Sequence, residues 1–426
     1  MNRGDLERLS KDELIELVLR LQRPDKTSRN SSKPPSTDRK ERRENSKPGG
    51  AKPGHEGHFR ALSDDPDAFE DHAPSRCPCC GLAFEPDAER ALIGEYDEIE
   101  LPPIRPFVRR HRRFSIRCGR CGATTEASLP EAAKGSPFGP RIHALAVYLK
   151  SMQLFSYERL RLALVDLFGL QISEGALMNM FKRMQAAFAA RRTAALAQLR
   201  RAPFVACDET GARIEGVNAF QWVFCSKGAV VHGVDFSRSA QVVRDALDGH
   251  RPVVWTSDRY SAQQGHADRQ QTCLAHLDRA ARFADENSED DAPFRLRLWF
   301  DRVFALAHDI TTIAASTLRA RRRALERDLD VILASPTECQ LTRDLLAKVG
   351  RARDQLLTFC DFPGEVEPTN NVSERALRPS VIQRKVTNGY RARWAADFEA
   401  GVRTAVDTAR LAGAGPFKTI LEIVAH

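Results

Sequence analysis

Short β-rich runs follow one another between residues 203 and 274, within a chain whose other apolar stretches show helical periodicity. The runs span residues 203–207, 220–225, 229–236, 252–257 and 271–274. A helical stretch at residues 239–247 separates the third run from the fourth. Three neighbouring strands, a helix and further strands predict a mixed α/β sheet.

An aspartate comes directly after the end of two of these runs. Asp208 follows the first run, in FVACDETG, and Asp258 follows the fourth, in PVVWTSDRY. Strand ends are where an α/β sheet displays its chemistry, because side chains leave the core there. A single aspartate at such a position has a plain alternative role as a turn or cap residue. Two aspartates on adjacent strands can also share a divalent cation.

A third carboxylate, Glu374, lies in PTNNVSERALRPSVIQRK, which predicts a helix over residues 369–385. Asn371, Glu374 and Arg378 fall on roughly one face of that helix. Breaking a phosphodiester needs an activated water, a stabilised leaving oxygen and neutralised phosphate charge. Two Mg²⁺ ions roughly 3.5–4 Å apart supply all three. Two or three carboxylates suffice to hold them, because Mg²⁺ prefers oxygen ligands and keeps several waters.

The chain of 426 residues is basic, with a formal net charge of +8. A large basic protein typically binds a polyanion, most often nucleic acid, although a basic surface also serves solubility alone. No run approaches the roughly 20 apolar residues of a membrane helix. The polar start of the chain predicts no secretory signal. We therefore expect a cytoplasmic protein with several domains and no membrane partner.

Composition and periodicity divide the chain into six predicted regions. They are an amphipathic helix over 1–22, a flexible basic linker over 23–60, a cysteine module over 61–130, a helical region over 131–200, the carboxylate-bearing domain over 201–391 and a helical tail over 392–426. Leu14, Leu17 and Leu21 have a heptad-like spacing, which suits either a short coiled coil or packing on the same chain. The linker composition cannot bury a core, but its charge can hold DNA phosphates loosely.

Two helical stretches in the 131–200 region are separated by a short turn. The first, residues 157–168, ends at Gly169, and the second begins after Ser173, a suitable N-cap. A helix, a short glycine-containing turn and a second helix form the helix-turn-helix pattern of DNA-binding proteins. An ordinary helical hairpin has the same pattern, so both interpretations remain.

Two matched cysteine pairs, Cys77 with Cys80 and Cys118 with Cys121, have the C-x-x-C spacing of zinc knuckles. Four thiolates around Zn²⁺ make a closed structural site. A redox pair is the alternative, although redox motifs rarely come as two matched pairs. Cys79 is a fifth thiol that can replace a neighbour as ligand. The other cysteines are scattered along the chain, as expected of small buried residues.

An arginine-rich run, RPFVRRHRRFSIRCGRC, leads into the second cysteine pair without an acidic residue. A phosphate backbone is its natural counterion, with a solvated surface as the alternative. A second basic stretch follows Glu374 and adjoins the carboxylates. The candidate DNA-binding residues are Arg105, Arg109, Arg110, Arg112, Arg113, Arg117, Arg375, Arg378, Arg384 and Lys385.

Motifs spread over roughly residues 5–391 resemble those of insertion-sequence-66 family transposases, the large proteins of those bacterial elements. The motifs are SRNSSKPPSTD, KPGGAKPGHEGH, CPCC, CGRC, CDETG, TSDRYSA, QTCLAHLDR and PTNNVSERALRPSVIQRK. The resemblance implies an RNase H-like domain whose Asp-Asp-Glu triad matches Asp208, Asp258 and Glu374. It also implies a helical insertion before the glutamate, which residues 285–365 fit. The expected protein is thus multidomain α/β, with a zinc-binding module and a helical DNA-binding region before the catalytic domain.

The chain departs from the family pattern in two places. Arg259 stands where the family usually has glycine, and the sequence after Arg391 differs from the expected small-residue pattern. Cys273 and His276 form a C-x-x-H at a strand-to-helix junction. Similar pairs in related transposases lie near the triad. One interpretation is therefore that Cys273, His276 and Asn371 support the triad residues. The alternative is that Cys273 and His276 are a buried structural pair.

The leading hypothesis is a DNA transposase that binds terminal inverted repeats and uses Mg²⁺ or Mn²⁺ to cut and join strands. Double-stranded DNA is the expected partner, with a homo-oligomer assembled on it and association with the nucleoid. Small accessory proteins of the same element are also plausible partners from the resemblance. A structure-specific nuclease on the same fold and a DNA-binding relative without catalysis are the alternatives.

Overall fold

The computed structural model describes residues 10–11, 14, 26–31, 50, 54–57, 60–130 and 136–425. Most of the predicted amphipathic helix and of the predicted linker lies outside these residues. The chain forms two compact units, residues 1–39 with 109–426, and residues 40–108. Among the described helices, none has the length and apolar character needed to cross a bilayer.

The strands of the larger unit form a small hairpin and one mixed sheet. They are β1 (Ser115–Arg117), β2 (Thr124–Glu126), β3 (Phe204–Ile214), β4 (Val217–Cys225), β5 (Val230–Asp235), β6 (Val254–Ser257) and β7 (Arg269–Thr272). β1 and β2 pair antiparallel, and the sheet has the order β5-β4-β3-β6-β7. β3, β4 and β5 pair antiparallel, whereas β6 is parallel to both β3 and β7. The mixed sheet predicted from the sequence is confirmed.

Helices surround the sheet. They are α1 (Pro140–Val147), α2 (Tyr157–Phe168), α3 (Glu174–Leu199), α4 (Ala240–Leu247), α5 (Leu274–Glu286), α6 (Asp291–Asp309), α7 (Ala315–Leu333), α8 (Gln340–Gly350), α9 (Asn371–Thr387), α10 (Arg393–Leu411) and α11 (Pro416–Val424). A turn of π-helix, Tyr148–Met152, continues α1.

The predicted helix boundaries between α2 and α3 are confirmed by their caps. Gly169 adopts a left-handed φ of 62° and ends α2. The Ser173 hydroxyl accepts a hydrogen bond from the Ala176 backbone N–H, and so begins α3. Each cap satisfies a helix-end group that would otherwise lack a partner.

The helices α5 to α8 lie between β7 and α9 in sequence and share one apolar core. Leu277, Phe300, Leu329 and Val349 are among its buried side chains. The indole N–H of Trp299 on α6 donates to the Leu325 carbonyl oxygen on α7 at 2.8 Å. Of these helices, α6, α7 and α8 lie within the range of about 285–365 in which a helical insertion was expected, whereas α5 precedes it.

The region predicted as a C-terminal tail contributes to the core of the larger unit. Phe398 on α10 stacks on Phe181 and meets Phe188 edge-on, at centroid distances of 5.5 and 5.4 Å. The backbone N–H of His232 on β5 donates to the Thr404 hydroxyl at 2.9 Å. α10 therefore covers β5 and α3 rather than extending from the domain.

A buried ion pair ties α10 to α9. Arg403 and Glu399 of α10 lie 3.0 Å apart, with side chains only 3% and 5% exposed. The Arg403 guanidinium also donates to the Ser380 hydroxyl at 2.6 Å and to the Gln383 amide oxygen at 2.8 Å, both on α9. These bonds fix the rotation and depth of α9 against the rest of the unit.

Candidate active site

Asp208 lies within β3, not at the end of a strand as the sequence suggested. The predicted run stopped at residue 207, whereas β3 continues to Ile214. The strand continues because β4 pairs with it as far as Val217, through a two-residue turn at Glu215 and Gly216 with φ of 53° and 80°. Pairing with β6, however, ends at Ala206. Asp208 therefore lies just beyond the point where the neighbouring parallel strand stops.

Asp258 follows β6, as predicted, and β6 is the direct neighbour of β3. The Tyr260 backbone N–H donates to Asp258 Oδ1 at 2.9 Å and holds the carboxylate in a turn. Burial, followed by the charges of Asp258 and Glu209, raises the pKa of Asp208 to about 8. Two carboxylates on adjacent strands thus repel each other in a site partly shielded from water.

Glu374 lies in the first turn of α9, and the residue before the helix fixes that turn to the sheet. The Asn370 side-chain amide donates to the Cys207 carbonyl oxygen at 2.8 Å, one residue before Asp208. Its backbone N–H donates to Cys273 Sγ at 3.2 Å. Asn370, rather than the predicted Asn371, therefore makes the buried contacts. Asn371 itself is exposed.

His276 approaches the glutamate from α5. Its Nε2 lies 3.8 Å from Glu374 Oε1. Ligand atoms of Cys273, His276 and Glu374 all lie within 4.8 Å of one another. Burial and the nearby Arg279 cation lower the pKa of His276, which favours the neutral imidazole. The predicted neighbours of the triad, Cys273 and His276, are therefore both beside Glu374.

The three predicted carboxylates do not all come within that same distance of one another. Asp208 and Asp258 are neighbours, and the charge of Glu374 also raises the pKa of Asp208, though less than the charges of Asp258 and Glu209 do. In this structure the three side chains therefore do not form one compact cluster of ligand atoms. Carboxylate oxygens are donors that Mg²⁺ prefers, so the residues present fit that metal.

Glu209, next to Asp208, has different partners. Its carboxylate accepts hydrogen bonds from Arg238 Nε, at 2.9 Å, and from the Gln263 side-chain amide. Arg238 also lies 4.0 Å from the centroid of the Tyr260 ring. Burial raises the pKa of Glu209, while Arg238 opposes that shift. The arrangement gives Glu209 a structural ion pair.

Arg259, directly after Asp258, has a backbone conformation that glycine adopts more easily. Its φ is +74°, in the left-handed region. Burial and the Arg351 guanidinium lower the pKa of Arg259. Burial also lowers the pKa of Lys348, with Asp258 opposing that shift and Arg259 adding to it. Lys348 is therefore near enough to Asp258 for their opposite charges to attract.

Each cysteine pair forms the same local turn in its own unit. The Cys77 N–H donates to the Leu82 carbonyl, and the Gly81 N–H donates back to the Cys77 carbonyl. Cys118, Ala123 and Gly122 repeat this pattern. Gly81 and Gly122 have nearly equal left-handed φ values of 71° and 72°.

The thiols of these turns face backbone donors. N–H groups of Cys80 and Cys79 lower the pKa of Cys77, and those of Cys121 and Arg120 lower the pKa of Cys118. Hydrogen bonds of this kind favour the thiolate, which is the form that binds metal.

The arginine-rich run leads into the β1–β2 hairpin and is exposed throughout. Arg113 lies 3.3 Å from Glu126 on β2, and Arg117 donates to the Gly122 carbonyl at 3.2 Å. The run therefore does have an acidic neighbour, contributed by the opposite strand. An exposed pair of this kind is worth at most about 1 kcal/mol, so it leaves the surface basic.

The basic residues of α9 separate into two groups. Arg375, Arg378 and Lys385 are exposed beyond Glu374. Arg384 is partly buried and donates to the Gly211 carbonyl on β3. Arg384 therefore anchors the helix to the strand that carries Asp208.

Comparison with protein-family models decides the family. The model described as Transposase IS66 family matches residues 135–398, more than half of the chain. The chain belongs to the IS66 family of transposases. A second model, the zinc-finger binding domain of transposase IS66, matches residues 74–122. No curated protein sequence matches the chain.

Membership in the IS66 family makes this chain a DNA-processing enzyme with a zinc-finger domain before its transposase domain. The zinc-finger match includes all four cysteines of the two turns. The transposase match includes Asp208, Asp258 and Glu374 together with helices α5 to α8.

Several residues at this IS66 transposase site were missed in the sequence. Asn370 stands beside an equally polar Asn371, so only the position of the helix start distinguishes them. Arg238 and Gln263 are far from Glu209 in sequence and carry no motif. Lys348 lies on α8 of the insertion, where charged residues are common. No local signal marks these contacts, since the tertiary fold creates them.

Proposed function

We propose that this chain cuts DNA at the terminal inverted repeats of an insertion sequence and joins the freed 3′ ends to target DNA. Asp208, Asp258 and Glu374 are the catalytic residues of this proposal. The observation that carries it is the placement of Asp208 on β3 and of Asp258 directly after the adjacent strand β6, where burial and the Asp258 charge raise the pKa of Asp208. A partly buried carboxylate beside a second acidic side chain is costly to a fold, and such sites are often functional because a bound cation offsets that cost.

Mg²⁺, or Mn²⁺ in its place, is the proposed metal. When bound, it activates the attacking oxygen and neutralises charge on the phosphate. Asp208 must lose its proton to act as a ligand, so metal binding and proton release are coupled. The backbone N–H of Tyr260 orients Asp258, and Asn370 sets the position of Glu374 through its bond to Cys207. His276 is a positioning residue for Glu374.

The fold around these residues is proposed to be RNase H-like. Support comes from the mixed five-stranded sheet, with Asp208 on β3, Asp258 directly after the adjacent strand β6, and α9 bonded to β3 through Asn370. The proposed helical insertion, which contains α6 to α8, lies between the second and third carboxylates in sequence.

The remaining elements are proposed to recognise DNA. Cys77, Cys80, Cys118 and Cys121 would hold one Zn²⁺, with the arginine-rich run on phosphates and the α2–α3 pair acting as a helix-turn-helix. Arg375, Arg378 and Lys385 are exposed next to Glu374, where the cut strand would pass. Pairing of two DNA ends implies an oligomer on DNA, and small accessory proteins of the element remain proposed partners.

A cleavage and strand-transfer assay with the full chain tests this proposal. Asp208→Asn should abolish both reactions and leave DNA binding intact, because it removes a metal ligand without changing size. Glu209→Gln is the matched control, since Glu209 pairs with Arg238 instead. Hydrolysis without joining would favour a nuclease, and full activity of Asp208→Asn would reject the mechanism.

A further inference from the structure

A cavity of about 310 Å³ lies between an N-terminal turn and two insertion helices. Residues 28–31 of the turn at residues 26–31 begin the SRNSSKPPSTD motif, which the proposed function leaves without a role. Helices α5 and α8 form the opposite walls. The polar and charged lining residues are Lys26, Asn30, Ser31, His276, Arg279 and Lys348, together with Asp344.

Specific hydrogen bonds hold this turn in place. The Asn30 amide oxygen accepts from the Thr27 backbone N–H at 2.7 Å, and its amide nitrogen donates to Glu286 on α5 at 2.5 Å. Asn30 is only 4% exposed. The Lys26 ammonium lies 5.4 Å from the centroid of the Phe283 ring, also on α5. A segment with the composition of a linker is thus docked on the helical insertion.

The cavity is strongly basic. Lys26, Arg279 and Lys348 line it with a single carboxylate, Asp344, among them. Three cations around a single carboxylate give the cavity a net positive charge, which suits it to an anion with several acceptor oxygens.

The cavity adjoins the carboxylates. His276 lines it, and the other ring nitrogen of the same imidazole lies 3.8 Å from Glu374. Lys348 lines it as well, and its ammonium is attracted by Asp258. A DNA strand with one phosphate at the carboxylates would have another close to this cavity.

We propose that the cavity binds a phosphate of the DNA backbone near the one that is cut, with Lys26 and Arg279 as its main ligands. The turn at residues 26–31 is then part of the DNA-binding surface of the catalytic domain, joined to it through α5 and α8. This inference rests on the proposed function, because it places a DNA strand at the carboxylates.

The test measures binding of a fluorescent duplex carrying the terminal inverted repeat, over a series of salt concentrations, with the full chain. Arg279→Gln and Lys26→Gln should each weaken binding about tenfold, as for loss of one charged hydrogen bond. Each should also reduce the slope of log affinity against log salt by about 0.9. Arg282→Gln is the matched control on α5, because Arg282 pairs with Asp278 at 3.0 Å and does not line the cavity.

A second arm locates the phosphate. Uncharged methylphosphonates are placed one at a time along the strand. A methylphosphonate at one position close to the cleavage site should weaken DNA binding by the wild type. The same methylphosphonate should leave DNA binding by Arg279→Gln almost unchanged, because the amino-acid substitution and the methylphosphonate remove the same contact. Equal penalties in both proteins at every position, or wild-type affinity and salt slope in both variants, would overturn the inference.

The cleavage and joining activity of the wild type distinguishes failure of this inference from failure of the proposed function. A wild type that neither cuts nor joins this duplex in Mg²⁺ removes the proposed function and the inference with it. A wild type that cuts and joins, with variants whose binding is unchanged, removes only the phosphate site. Lys26→Gln lies outside the helices, so its result does not depend on how α5 tolerates substitution.

Discussion

The imidazole Nε2 of His276 lies 3.8 Å from Glu374 Oε1, and these two residues come from helices separated by the rest of the insertion. A neutral imidazole at this distance can orient the carboxylate for metal binding. His276→Gln should therefore raise the Mg²⁺ concentration needed for half-maximal cleavage and lower the rate about 10- to 100-fold. Excess Mn²⁺ should restore part of the rate. A lower rate with an unchanged metal requirement would contradict the positioning role.

The pKa of Asp208 predicts how stability depends on pH without Mg²⁺. Folding raises this pKa from 3.8 to about 8, so the protonated form is favoured in the folded state. The resulting stability is present at acid pH and is lost as pH rises through about 8. Asp208→Asn should then be more stable than wild type at pH 9, with the difference shrinking toward pH 6. Thermal unfolding with zinc retained and Mg²⁺ omitted measures this.

Added Mg²⁺ provides the complementary measurement. It should stabilise the wild type, most strongly at high pH, because it binds the deprotonated site. The same addition should leave Asp208→Asn nearly unchanged. Equal stabilisation of both proteins would place the metal elsewhere.

Arg259→Gly should stabilise the protein by up to about 1 kcal/mol. A side chain in the left-handed region costs roughly 1–2 kcal/mol, and the greater freedom of unfolded glycine returns part of that gain. Arg259→Ala is the control, since it removes the cation but keeps the unfavourable φ of +74°. Urea unfolding should rank the glycine variant above the alanine variant, and the reverse order would show that backbone conformation is not the reason.

Arg403→Met should destabilise the larger unit by about 3–5 kcal/mol, because it leaves Glu399 charged and buried without its partner. Cleavage should fall further than DNA binding, since Arg403 also holds α9 through Ser380 and Gln383. Arg393→Ala, at an exposed pair with Asp397 on the same helix, should cost about 1 kcal/mol or less. Similar losses at both positions in urea unfolding would argue against the buried network.

Elemental analysis should find about one zinc per chain, and Cys118→Ser should lose it. Cys79→Ser is the matched control and should retain the metal, because Cys79 does not occupy the position that Cys77 and Cys118 share in their turns. Wild type without zinc under reducing conditions would reject the site.

Patterns that act over a few residues were readable in the sequence. The strands, the glycine that ends α2, the serine that begins α3 and the helix that carries Glu374 all follow local rules. Asp208 and Asp258 were identifiable because acidic residues directly after β-rich runs are conspicuous. The end of β3 could not be identified from the sequence, because pairing with β4 decides where that strand stops.

Long-range packing explains the other differences. α10 reads as an amphipathic tail, yet its apolar face covers β5 and α3. The turn at residues 26–31 reads as linker, because one buried asparagine and a lysine over a phenylalanine leave no periodic signal. Such contacts depend on which surfaces the fold brings together, which composition does not encode.

The left-handed backbone at residue 259 has a genetic consequence for the element. Every arginine codon becomes a glycine codon by substitution of a single base. A copy whose transposase is burdened by Arg259 is therefore never more than one point mutation from the residue that its backbone prefers. A single base change in this one codon is enough to relieve the unfavourable φ of +74°.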